Sequence, residues 1–88
     1  MIENLEHKII ALEIESSQGL VKAIQNVHKG NVVIVGFKKI KSLDEHKALI
    51  LVAKLIKYAK SKQLAILRIG DDYLVLAPKD YRILIETP

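Results

Sequence analysis

Residues 64–78 read LAILRIGDDYLVLAP, two runs of aliphatic and branched residues split by Gly70-Asp71-Asp72. Asp and Gly tolerate the positive φ of a tight hairpin turn, so the stretch predicts two antiparallel strands. Along the first, Leu64, Ile66 and Arg68 point one way and Ala65, Leu67 and Ile69 the other. Along the second, Tyr73, Val75 and Ala77 oppose Leu74 and Leu76. Side chains alternate with period two, and a hairpin with one wet face shows a polar residue at every second position. This one does not, so each face needs a cover.

Outward from the hairpin, residues 31–37, NVVIVGF, are apolar at every position from Val32 to Val35, as expected of a central strand flanked on both sides. Residues 7–15, HKIIALEIE, alternate as a first strand. Between these two, Leu20, Ala23, Ile24 and Val27 recur at helical spacing. Ser16 and Ser17 are candidate caps for that helix, able to accept a hydrogen bond from a free backbone N–H, and Gly30 is its left-handed stop. Strand, helix, strand in this order predicts a right-handed crossover and a parallel pair. Residues 38–42, KKIKS, read as a basic loop. A long helix is expected over residues 43–62, opened by Asp44 and Glu45, with a core stripe of Ala48, Leu49, Val52, Leu55, Ile56 and Ala59. Leu51 and Tyr58 widen the stripe to about half the circumference. Such a width suggests a second contact, with the first helix or with another molecule. After the hairpin, 78–80 form a turn and residues 82–86, RILIE, a final strand.

The resulting order is βαβαβββ in one domain spanning residues 1–88, an α/β two-layer sandwich with two helices on one face of a five-stranded mixed sheet. The other face is then bare and apolar. A monomer rarely exposes a large contiguous apolar patch, so this face is expected to form a homodimer interface, sheet against sheet. Val33, Val35, Ile66, Leu74, Leu76 and Ile83 are the residues expected there. Helices that straddled the sheet would instead leave no bare face.

Composition narrows the function classes. The chain has 88 residues, half of them hydrophobic, and a formal charge of +4. That length supports one core. Cysteine is absent, which removes disulfides, thiolate metal sites and any cysteine nucleophile, and fits a cytoplasmic protein. No apolar run approaches the roughly 20 residues of a membrane span. His7, His28 and His46 fall on three elements with no paired metal-ligand spacing. Asp71 and Asp72 serve a turn better than an acid–base site, having no third carboxylate or His to converge with. No phosphate-binding glycine loop and no nucleophile elbow occurs. The expectation is a protein without catalysis, cofactor or metal. Two binding classes remain. A basic dimer of this kind could lay Lys38, Lys39 and Lys41 against nucleic-acid phosphates, much as Alba-type chromatin proteins do. A dimer built on an apolar sheet could instead offer a groove to a partner peptide.

NVVIVGF followed by a helix, and then RIGDDYLVLAP over residues 68–78, resemble the SepF family of cell-division proteins, archaeal members included. The shared pattern is a basic residue, Ile-Gly, a turn acid, an alternating hydrophobic strand and a closing Pro. The preceding strand and helix follow the family order too, so the likeness spans nearly the whole chain. It implies a non-enzymatic homodimer that binds the C-terminal tail of the tubulin-like protein FtsZ and helps tie the division ring to the membrane. Arg68 and Leu74 match the positions that contact that tail in relatives. The chain departs from bacterial members at Lys57, where they carry glycine, and at Gln63-Leu64, where they carry Gly-Gly. Residues 1–6 are too few for a membrane-holding amphipathic helix, so membrane contact is expected to need an anchor outside this chain.

Overall fold

The structure, a computed structural model, describes residues 8–82. Its elements run β1 (Ile9–Glu13), α1 (Ser17–His28), β2 (Val32–Gly36), α2 (Lys38–Leu43), α3 (Glu45–Ser61), β3 (Ala65–Ile69) and β4 (Tyr73–Ala77). The strands form one sheet in the order β1-β2-β4-β3. β1 and β2 are parallel, as the crossover through α1 requires, and β4 lies antiparallel to both β2 and β3.

Register sorts every side chain to one of two faces. Ile10, Val33, Leu76 and Ile66 form one row across the sheet, and Leu12, Val35, Leu74 and Arg68 the next. These rows face both helices. Leu20, Ala23 and Val27 of α1, and Ala48, Leu51, Leu55 and Ala59 of α3, close over them in one continuous core. The opposite face carries the row Ala11, Ile34, Val75 and Leu67, flanked by Ile9, Ile69 and Tyr73. No described element covers it, and Ile9 is 71% exposed. The two long helices, α1 and α3, on one side and an apolar side that no described element covers are thus as the patterning implies.

Local chemistry explains the boundaries. Gly30 ends α1 at φ 95°, a left-handed conformation that costs glycine little. Asn31, nearly buried, accepts from the Lys8 backbone N–H through Oδ1 at 3.0 Å and donates through Nδ2 to Asn26 at 3.2 Å, tying the start of β1 to the end of α1. Asp44 caps α3 by accepting from the Lys47 N–H at 3.0 Å. In the hairpin turn only Gly70 takes a positive φ; Asp71 and Asp72 do not.

Several expectations are corrected. The sheet of the described residues has four strands rather than five. Residues 83–86 of the expected last strand lie outside the described residues, and Arg82 is not in a strand. Residues 38–42 are helical, not a loop. Ile40 buries its side chain, and the Glu13 carboxylate accepts from the Lys39 N–H at 2.9 Å, so the N-terminus of α2 is capped from a strand 26 residues away. Ser16 is the N-cap of α1 but makes no side-chain capping bond; its carbonyl accepts from Gly19 at 3.0 Å. On α3 the buried stripe is rotated toward Leu51, which leaves Leu49 59% exposed. Finally, Val33, Val35, Leu74 and Leu76 are not on the bare face. They are buried under the helices of their own chain, with Ile66 partly buried against the same core; Ile83 lies outside the described residues.

Candidate functional site

Arg68 sits opposite Leu74 in the β3–β4 register, so the two residues singled out from the sequence are neighbours on the helix-covered face. Their surroundings differ. β4 is internal to the sheet and Leu74 is 2% exposed, whereas β3 is an edge strand and Arg68 projects past the cover of α3. The Arg68 Nε–H donates to the Gly70 carbonyl at 3.3 Å, which draws the guanidinium toward the turn. Its other donors have no carboxylate partner among the described residues, where the ion pairs are Lys39–Glu15 and Lys41–Asp72.

Beside Arg68 opens a cleft of about 190 Å³ between α3 and the β3–β4 turn. Phe37, Ala48, Leu49 and Val52 supply apolar lining, and Lys41, Glu45 and Asp71 join Arg68 around it. Phe37 is brought there because its N–H donates to the Asp72 carbonyl at 2.8 Å, which pins the end of β2 to the turn. Small-molecule sites generally start near 300 Å³. A cleft of this size with an apolar lining and an unpaired guanidinium suits one or two side chains of an extended peptide, with a carboxylate meeting Arg68. Sequence reasoning located the cation but not the apolar lining. The over-wide stripe of α3 was the available signal: the core takes Leu51, expected only to widen the stripe, and leaves Leu49, expected within it, exposed at the cleft.

The remaining candidates are dispersed. Leu74 offers no accessible surface beside Arg68. Lys39 pairs with Glu15 at 3.0 Å and Lys41 with Asp72 at 3.7 Å, so two of the three lysines expected to meet phosphates are engaged by their own chain; Lys38 is exposed. His28 Nε2 lies 2.7 Å from the Tyr58 hydroxyl and His46 is exposed on α3, while His7 is outside the described residues. Among the described residues no group of three His, Asp or Glu side chains is placed to hold a metal ion, and no helix is long and apolar enough to cross a membrane.

No protein-family model matches the chain, and neither does any curated protein. Among solved structures, a SepF-like protein from Archaeoglobus fulgidus superposes with a TM-score of 0.76 at 16% identity, over 92% of this chain and 96% of that one. A SepF-like protein from Pyrococcus furiosus gives 0.77 at 16% identity, over 94% of this chain and 100% of that one. At this identity the likeness is one of fold, and it extends over nearly the full length of all three chains.

Proposed function

We propose that this chain is a SepF-like, non-enzymatic adaptor of cell division that works as a homodimer in the cytoplasm and binds the C-terminal tail of an FtsZ-like protein. The observation that carries the proposal is the near full-length superposition on two SepF-like proteins, with Arg68, which has no carboxylate partner among the described residues, beside an apolar cleft in a fold of that kind. The tail would seat apolar side chains against Phe37, Leu49 and Val52 and bring a carboxylate to Arg68. The bare row of Ala11, Ile34, Val75 and Leu67 would join two protomers across a two-fold axis, because an apolar sheet face is stable in water only when covered. In this role the dimer links the division ring to the membrane.

The test is a titration of the purified chain against a labelled FtsZ C-terminal peptide and a short DNA duplex in ~0.15 M salt, read by anisotropy and repeated at higher salt. Peptide binding that persists at high salt and weakens about tenfold or more in Arg68→Glu is expected, because the reversal sets a like charge against the carboxylate of the tail. Binding to the duplex alone would overturn the adaptor function.

A further inference from the structure

The described charges are segregated along the strands. One end of the sheet holds the finish of β1 with Glu13 and Glu15, the start of α3 with Asp44 and Glu45, and the β3–β4 turn with Asp71 and Asp72, six acids that offset Lys38, Lys39, Lys41, Lys47 and Arg68 there. The other end gathers the C-termini of α1 and α3, the starts of β1 and β3, and the exit from β4. There Lys8, Lys29, Lys60, Lys62, Lys79 and Arg82 are all exposed, against Asp80 as the one acid among the described residues. Both ion pairs of the described residues belong to the first end, so none of these six cations is paired within them. The negative end of a helix dipole accounts for Lys29, Lys60 and Lys62. It does not account for Lys8, Lys79 or Arg82, which stand at strand ends and in the following turn.

This basic end also has an apolar opening. A cleft of about 370 Å³ is lined by Val27, Leu64 and Pro78, with Lys62 and Lys79 as its cationic members and His28 and Asp80 beside them. Nucleic acid finds little here. Tyr58 is occupied by His28 at 2.7 Å and has the Lys62 ammonium 6.0 Å from its ring centroid, so it is no free platform for a base, and the helices end at this face rather than projecting into a groove. Unpaired cations around an apolar opening match a surface that is anionic outside and apolar beneath.

We propose that this end of the domain docks on an anionic lipid bilayer, with the six cations over the headgroups and the cleft of Val27, Leu64 and Pro78 turned toward the acyl boundary. Clusters of four to eight Lys or Arg are the usual requirement for such attraction. The docking does not depend on what the Arg68 cleft binds, because the two surfaces lie at opposite ends of the sheet.

Co-sedimentation of the purified full chain with neutral phospholipid vesicles, and with vesicles containing an anionic phospholipid, tests the docking. Binding to the anionic vesicles alone is expected, falling as salt rises. Each cation near such a surface is worth about fivefold in partitioning, so Lys62→Glu with Lys79→Glu should lower it at least ~20-fold. Lys38→Glu with Lys47→Glu changes the net charge equally at the opposite end and should lower it no more than about threefold, at distances beyond a screening length. No sedimentation with anionic vesicles, equal losses in the two double variants, or tighter binding to a DNA duplex at the same salt would each overturn the proposal.

Discussion

Leu74 and Val75 are adjacent on β4 and point to opposite faces, so a pair of substitutions there separates folding from association. Leu74 is 2% exposed beneath both helices, in contact with a core that includes Val35 and Leu76. Leu74→Ala removes buried methyl groups and leaves a cavity, at a cost of about 2–5 kcal/mol. In a domain of this size each kcal/mol moves Tm by roughly 4–8 °C, so a 3 kcal/mol loss lowers it by about 12–24 °C. Val75 lies on the bare face, between Ile34 and Leu67 in their row. Val75→Lys should leave the monomer folded. In a two-fold dimer it deletes two buried valines, each worth about 1.5–3 kcal/mol, and places two ammonium groups in the interface. The loss is at least ~3 kcal/mol, more than a hundredfold in dimer Kd. Sedimentation equilibrium over a range of concentrations reads the second effect, and thermal unfolding of the dissociated protein reads the first. A Val75→Lys variant as dimeric as the parent would remove the bare face as the interface. A Leu74→Ala variant with unchanged Tm would refute the assignment of faces.

Asp44→Ala deletes the oxygen that accepts from the Lys47 N–H and should cost about 1 kcal/mol, a fall in Tm of some 4–8 °C; Asp44→Asn should retain most of it. Gly36→Ala places a Cβ 2.6 Å from Glu13 Oε1 and 3.2 Å from the Tyr73 ring, displacing the carboxylate that caps α2. Hydrogen exchange at the Lys39 amide should accelerate in that variant and in Glu13→Ala alike, and unchanged exchange in both would show that the cap is unimportant. Gly30→Ala gives up the backbone ease of glycine at φ 95° and should cost about 1–2 kcal/mol by denaturant titration.

How much of the site could be read in advance varies with how local its causes are. Arg68 could be found because a cation on an otherwise apolar strand stands out in any alternating pattern. The apolar lining could not, since Phe37 reaches the cleft through a backbone bond to Asp72 that no sequence window contains. Nor could the engagement of Lys39 and Lys41, whose partners lie on β1 and in the hairpin turn. A run such as KKIKS reads as solvated loop when its neighbours are unknown, and becomes helix once a distant carboxylate satisfies its first N–H groups.

The sequence by itself determined the four strands of the described residues, the two long helices and their order, the parallel pairing of β1 and β2, and the existence of an apolar sheet face that no described element covers. Period-two and period-3.6 patterns, glycine stops and crossover handedness are local or topological, and residue types carry them directly. Only the tertiary structure decided which face that is. In strands apolar on both sides, alternation separates two sets without saying which one is inside. The choice falls to the packing of α1 and α3, and it places Val33, Val35, Leu74 and Leu76 within the core and Ile34, Leu67 and Val75 outside it.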